Sequence, residues 1–251
     1  MILDVTLSPD LLPRSFAGSL CTVIDVLRAT TTIITALASG ASEVHPCISA
    51  AEARRCAEAI GHKSYLLGGE KGGLRIPGFH LGNSPIEYLD SGKIAGKIIY
   101  FATTNGTPAL RRAYKVSTNP VYLAALVNLS AVSSAIIRAI TGNSLTKICL
   151  ICAGRYGKPS LEDFLCAGLI LPPVQDGLLQ SGITCQLSDA ASIAIEFSKL
   201  NKEKPLEVLA ASEHGQYLQR IGFAADLKFA SQIDKYQIVP IFDGSRITVS
   251  P

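Results

Sequence analysis

Tryptophan is absent from this 251-residue chain, methionine occurs once, and aromatic residues make up only 6%. Too few rings are present to build a base-stacking surface for single-stranded nucleic acid. Charge is scarce as well. Only 17% of residues are charged and the net charge is +3, which leaves no strong field for nucleic acid or a membrane surface. The longest apolar runs reach roughly ten residues before Pro or Gly breaks them, too short to span a bilayer. Met1-Ile2-Leu3-Asp4 carries no basic stretch followed by an apolar one, so no secretory signal is expected. No G-x-x-x-x-G-K-[ST] loop occurs, and no G-x-G-x-x-G follows the first long strand, which disfavours a dinucleotide enzyme. No spacing pairs a nucleophile with a His, so a Ser/His/Asp hydrolase is unsupported.

Paired cysteine motifs are also lacking. Of seven cysteines only Cys149 and Cys152 form a C-x-x-C, and no second pair completes a zinc site. Both fall in an apolar strand-like run, where residues three apart face opposite ways. We therefore expect the cysteines to be small buried hydrophobes in a reducing cytosol, and place the protein in the cytoplasm.

What is present is apolar: 48% of residues are hydrophobic, with abundant Gly and Ala. That balance suits an α/β protein whose central strands are covered on both faces. It also leaves room for a homo-oligomer. Residues 1–7, 19–26, 43–48, 65–67, 97–102 and 147–151 read as strands, with fragments at 116–118 and 121–123. Residues 33–39, 49–60, 109–114, 128–140, 161–170, 188–200, 206–211 and 212–221 read as helices, with a further helix closing between Gly177 and Gly182 and a short turn over 226–229. Ser49 and Glu52 stand at capping-box spacing and Gly61 closes that helix. Residues 9–16 read as a loop. Residues 238–242 and 246–249 form a late hairpin through Asp243-Gly244. Alternating strands and helices predict a three-layer α/β/α sandwich with a largely parallel or mixed sheet. We treat residues 1–251 as one domain, with two similar lobes meeting near 115–125.

The stretch from Gly68 to Pro85 reads as a long loop and holds six glycines, with Glu70, Lys71, Arg75, His80, Asn83 and Ser84 among them. Ordered loops of that length are usually functional, and glycines let amides approach an anion closely. Three strand–turn–helix units join it: Asp25 to Thr32, Thr103 to Pro108, and Cys152 to Asp163. In open α/β sheets such turns sit at the carboxyl ends of strands, where ligands bind. Together they offer the acids Asp25, Glu70, Glu162 and Asp163, the cations Arg28, Lys71, Arg75 and Arg155, and Thr30, Thr31, Asn83, Ser84, Thr104, Asn105, Gly106 and Thr107. Cations and amides bind an anion; acids beside them make sense if Mg²⁺ lies between, which points to metal-assisted phosphate-ester chemistry.

The segments Val23 to Thr32, Gly69 to Gly73, Gly78 to Pro85, Thr103 to Thr107 and Ser160 to Asp163 resemble the 2-phosphosulfolactate phosphatase family, in the family's order and over nearly the whole chain. Ser212-Glu213-His214 and Gly222 to Asp226 resemble it too. The resemblance implies a Mg²⁺-dependent acid phosphatase of the α/β/α fold that hydrolyses 2-phosphosulfolactate, a step toward coenzyme M. Lys71 stands where the family commonly has Arg, and His80 where it commonly has Asp. On that basis Asp25 and Glu70 are expected to hold Mg²⁺, with Glu162 or Asp163 as a third acid. Arg28, Lys71, Thr30 and Thr31 would bind the phosphoryl oxygens. Asn83, Ser84 and the turn Thr104-Asn105-Gly106-Thr107 would bind phosphate or acid groups, and Arg75 or Arg155 the substrate's anionic tail. The attacking group is either a metal-bound water or Asp25 itself, as in haloacid-dehalogenase phosphatases, whose D-x-D signature is broken here by Leu27. A non-catalytic phosphate-binding module is the remaining alternative.

Overall fold

The computed structural model describes residues 1–12, 16–59, 64–117, 120–143 and 145–249. β1 (Ile2–Thr6) and β2 (Leu20–Ile24) lead to α1 (Ala29–Ala38). β3 (Glu43–Cys47), α2 (Ala50–Ala59), β4 (Tyr65–Lys71), β5 (Leu74–Arg75), the single turn α3 (Ser91–Ile94), β6 (Ile98–Ala102) and α4 (Gly106–Val116) follow. β7 (Val121–Ala124), α5 (Leu129–Thr141), β8 (Lys147–Cys152), α6 (Leu161–Gln180) and β9 (Gln186–Leu187) come next. α7 (Asp189–Asn201), α8 (Pro205–Ala211), α9 (Glu213–Arg220) and α10 (Ala224–Ala230) precede β10 (Pro240–Phe242) and β11 (Ile247–Val249).

The strands form one mixed sheet in the order β5-β4-β6-β3-β11-β10-β7-β2-β8-β1-β9. It contains two parallel blocks. One is β4-β6-β3; the other is β7-β2-β8-β1-β9. The antiparallel β10–β11 hairpin joins them. In its turn, Asp243 Oδ1 accepts the amides of Ser245 and Arg246, both at 2.8 Å, and Gly244 takes φ +102.

Side chains alternate across the sheet as a period of two requires. Leu20, Ile24, Ile148, Leu150 and Cys152 pack with α5, α6 and α7 on one face. Cys21, Val23, Cys149 and Ile151 pack with α1 and α4 on the other. Three layers result, and Cys149 and Cys152 indeed face opposite ways. All seven cysteines are free. Burial pushes the Cys21 and Cys47 thiols up to about 11 and about 12, so neither is a thiolate nucleophile near neutral pH. No helix among the described residues is long and apolar enough to cross a membrane.

Several boundaries differ from the sequence reading. The Gly68–Pro85 stretch is not a single loop: β4 continues to Lys71 and turns back into β5, with Glu70 opposite Arg75. Gly69 permits this because a Cβ there would lie 2.1 Å from the Ala102 carbonyl oxygen, and its φ is +136. The Thr30–Thr32 run is helical, despite its β-branching. Val116 ends α4 rather than starting a strand; Thr118 lies outside the described residues, as do Ile60 and Gly61. Part of the 9–16 loop, Pro9–Leu11, is a 3-10 turn. α6 runs unbroken through Pro172 and Pro173, where two separate helices were expected. Half of the expected capping box of α2 forms: Glu52 N–H donates to Ser49 Oγ at 3.1 Å, but the Glu52 carboxylate accepts the amide of Ile48, one residue before the cap, at 2.5 Å.

Candidate active site

The carboxyl ends of β2, β4, β6 and β8 converge on one narrow cleft. It is lined by Asp25, Arg28, Glu70, Asn83, the Thr103–Asn105 turn, Arg155, Tyr156, His214 and Tyr217, among others.

Asp25 directly follows β2 and is 6% exposed. Its Oδ1 accepts Ala29 N–H at 3.2 Å. Gly106, first residue of α4, presses against its other oxygen: a Cβ there would lie 3.0 Å from Oδ2 and 2.6 Å from Ala29 Cβ. Burial pushes the Asp25 carboxyl up to about 6; the charge of His214 and the Ala29 amide pull it down, while Glu162 and Glu70 push it up. A buried carboxylate titrating near neutrality is a mark of a reaction site.

Glu70 faces the same cleft. Its Oε1 accepts Thr104 N–H and its Oε2 accepts Gly73 N–H, each at 2.8 Å, tying the hairpin to the β6–α4 turn. Asp163 makes a similar clasp deeper in, accepting Val26 N–H at 2.8 Å and Gly154 N–H at 3.0 Å. Burial, then Asp25 and Glu162, push its carboxyl well above the usual range. Asp163 thus pins the ends of β2 and β8 and lies behind the cleft. Glu162 is 1% exposed, with Oε1 3.6 Å from His214 Nδ1. Its Oε2 has no partner among the described residues.

Arg28 is committed: Nη1 donates to Asp226 Oδ2 at 2.9 Å and Nη2 to the Gly73 carbonyl at 2.6 Å. Ser84 is spent on the same Asp226, donating to Oδ1 at 2.6 Å. Thr30 Oγ1 lies 2.8 and 2.7 Å from the carbonyls of Asp25 and Ala124, and Thr31 Oγ1 2.8 Å from that of Val26. Their hydroxyls brace the β2–α1 turn and are not turned to the cleft. Thr107 Oγ1 is buried 3.2 Å from Thr103 Oγ1. Lys71 is exposed and lines an adjoining hollow with Ile48 and Ile76. Arg75 is exposed and reaches the His80 carbonyl at 3.4 Å. His80 Nδ1 accepts Leu67 N–H at 2.9 Å.

The cation left facing the cleft is Arg155. Its guanidinium stacks 4.5 Å from the Tyr217 ring and 5.2 Å from the Tyr156 ring, and makes no ion pair among the described residues. Asn105 Oδ1 holds Tyr156 N–H at 3.2 Å, and Tyr217 donates its hydroxyl to the Gly72 carbonyl at 2.7 Å. His214, Tyr217 and Asp226 were not among the site residues read from sequence. They lie on α9 and α10, remote from the strand-end turns, and their one signal is the family-like Ser212-Glu213-His214 and Gly222 to Asp226 segments.

A buried acid beside an unpaired guanidinium, at the carboxyl ends of several strands, defines an α/β protein built to handle a small anion. The chain belongs to the 2-phosphosulpholactate phosphatase family, matching it over residues 6–245. It is 39% identical over 236 residues to a protein of Symbiobacterium thermophilum, covering 94% of this chain and 96% of that one. It is 40% identical over 224 residues to one of Pseudothermotoga lettingae, covering 88% of each. A protein of Carboxydothermus hydrogenoformans is 38% identical over 240 residues, covering 96% and 92%. Each of the three is named a probable 2-phosphosulfolactate phosphatase.

Proposed function

We propose that the chain is a phosphoric monoester hydrolase acting on 2-phosphosulfolactate or a related 2-phospho-acid, with Mg²⁺ as cofactor. The observation that carries this is Asp25, a buried strand-end carboxylate with one oxygen fixed by Ala29 and its carboxyl raised to about 6. The membership of the family and its relatives' names support the phosphatase activity and the substrate class.

Among the described residues no three His, Cys, Asp or Glu side chains gather as a ready metal cage. Mg²⁺ does not need one: it commonly takes one or two carboxylates, keeps several waters, and completes its shell with substrate phosphate oxygens. Asp25 and Glu70, which share the cleft, fit that donor set. When bound, the ion neutralises phosphoryl charge and lowers the pKa of water.

The chain's own residues do the rest. Arg155 and the Thr104-Asn105 turn bind phosphoryl oxygens, with charge-assisted bonds that strengthen as negative charge builds. Arg28, fixed by Asp226, keeps the Gly73 hairpin tip over the cleft. Glu162 Oε1 lies 3.6 Å from Nδ1 of His214; in the imidazolium form, where both ring nitrogens carry a proton, Nε2–H can protonate the departing ester oxygen and leave a neutral imidazole. Asp25 aligns the attacking water rather than attacking itself, since Leu27 replaces the second acid of the aspartyl-phosphate signature. Placement in coenzyme M synthesis follows from the substrate and stands or falls with it.

The test is phosphate release from racemic 2-phosphosulfolactate, with and without Mg²⁺, beside phospholactate and 2-phosphoglycolate. Mg²⁺-dependent release with a strong preference for the sulfonate supports the full reading. Release from none of them, from acidic to neutral pH, overturns it in favour of a non-catalytic phosphate-binding module.

A further inference from the structure

Beside the cleft, beyond the clasp of Glu70 on the Thr104 amide, lies an open hollow of about 510 Å³. Glu70, Thr103 and Thr104 stand in the walls of both spaces, so the two adjoin across that clasp. The cleft offers only about 20 Å³ of free space, little more than one water position. The organic part of any ester bound there must therefore lie outside it.

The remaining walls of the hollow are mostly apolar: Ile48, Ala50 and Ala51 around the start of α2, Ile76 and Pro77 after β5, and Pro108 in the first turn of α4. Ile48 is 63% exposed there. The walls are braced from behind. Arg54 of α2 donates to the Pro77 carbonyl at 2.6 Å and stacks 5.3 Å from the Phe79 ring. Arg111 of α4 reaches the Pro46 carbonyl and the Glu52 carboxylate, each at 3.3 Å. α2, α4 and the segment after β5 are thus tied to fixed spacings. A pre-formed, largely apolar space of this size with a few polar groups at one side matches small-molecule sites.

Charge limits what can enter. The hollow's only charged lining residues are Glu70 and Lys71, one of each sign. Lys71 is exposed, so its ammonium stays in water while its stem borders the apolar wall. The lining holds no excess of positive charge for an acid group to pair with. An apolar group gains by removing Ile48 and its own surface from water.

We propose that this hollow receives an apolar side chain of a substrate whose phosphoryl group lies in the cleft. The protein then takes phosphate monoesters of 2-hydroxy acids that bear a long or branched alkyl group. The inference rests on the phosphatase reading of the cleft and extends its substrate class from small, wholly polar acids to apolar ones.

Alkylphosphonates test the hollow without chemistry, because their carbon–phosphorus bond is not an ester. In titration calorimetry with Mg²⁺ present, affinity is expected to rise from methyl- to hexylphosphonate, by roughly two- to fourfold per methylene once the chain reaches the hollow. Ala51→Trp, which fills the hollow, and Ile48→Asp, which puts a charge in its wall, are expected to abolish the rise and leave methylphosphonate binding unchanged. Both side chains are exposed, so the variants keep the fold. In turnover, the phosphate ester of 2-hydroxy-4-methylpentanoate is expected to exceed phospholactate in kcat/KM by roughly tenfold or more in the wild type, and not in Ala51→Trp. Affinity independent of chain length, a rise that persists in either variant, or failure of every phosphonate to bind overturns the proposal. If the chain-length dependence and its loss in the variants are seen but no ester is hydrolysed, the hollow stands and the phosphatase reading falls. If phospho-acids are hydrolysed but added methylenes bring neither affinity nor kcat/KM, the hollow alone falls.

Discussion

Arg28 Nη1 lies 2.9 Å from Asp226 Oδ2, with both side chains sealed from solvent at 1% and 2% exposure. The guanidinium also stacks 4.6 Å from the Phe223 ring. Through this pair the β2–α1 turn, the β4–β5 hairpin tip and α10 hold one another. Removing one partner leaves a buried charge without a counter-ion, a loss of about 3–5 kcal/mol. Asp226→Ala is expected to lower the urea midpoint accordingly, and Ser84→Ala to cost about 1–3 kcal/mol by leaving Asp226 short of a donor. A wild-type midpoint in Asp226→Ala would show that the pair contributes no stability.

Asp25 couples function to instability. Its carboxyl is raised from 3.8 to about 6, so the folded state favours the protonated form. The group's contribution to stability is therefore fully present below pH 3.8 and is lost as pH rises toward 6. The cost above pH 6 is on the order of 3 kcal/mol. Asp25→Asn removes the charge and keeps the shape. Without added Mg²⁺, the variant is expected to melt with the wild type at pH 4 and roughly 5–10 °C above it at pH 7. Its phosphatase activity should fall by several orders of magnitude. Equal melting temperatures at pH 7, or a fully active variant, would contradict this assignment.

Which parts of this protein could be read from its residues follows from how local the signals are. Strand periodicity placed the central strands, and the polar turns after them marked Asp25, Glu70, Thr104, Asn105 and Arg155, all of which line the cleft. Other features depend on partners far along the chain. Thr30 and Thr31 look like anion ligands because they open a helix, but a buried hydroxyl satisfies the nearest carbonyl first. Lys71 follows Glu70 on a strand, so the two side chains take opposite faces. Proline inside a helix removes a donor and ordinarily breaks it, yet α6 passes through Pro172 and Pro173 with Leu165, Ile170, Leu171, Val174 and Leu178 all in the core. Burial of that face outweighs the two missing donors. The late hairpin was legible as a hairpin; its insertion between two parallel blocks was not, because one short antiparallel pair carries no mark of its neighbours.

Gly106 opens α4 in ordinary helical geometry, so alanine would normally be neutral or favourable there. Here an added methyl would meet Ala29 Cβ at 2.6 Å and Asp25 Oδ2 at 3.0 Å. Relief requires the Asp25 carboxylate or the start of α1 to shift by several tenths of an ångström. Catalytic geometry tolerates such shifts poorly. Gly106→Ala is expected to lose at least tenfold in kcat and about 1–3 kcal/mol in stability. An unchanged kcat would show that the Asp25 position is not critical.

Glu70 is the harder residue to assign, because it is both a clasp and a candidate Mg²⁺ ligand. Its two oxygens take the amides of Gly73 and Thr104. Glu70→Gln keeps one acceptor and turns an amide N–H₂ toward the other donor, so one of the two bonds must break. The loss is about 1–3 kcal/mol locally, and hydrogen exchange at Gly73 or Thr104 should quicken. A pure clasp would change exchange and kcat while leaving the Mg²⁺ concentration for half-maximal activity where it was. A ligand would raise that concentration as well, since an amide oxygen binds a hard cation less well than a carboxylate. We expect both changes: faster exchange at the hairpin tip and a Mg²⁺ requirement raised at least tenfold. An unmoved Mg²⁺ requirement would leave Asp25 as the cleft's metal-holding carboxylate and reduce Glu70 to the pin that keeps the hairpin over it.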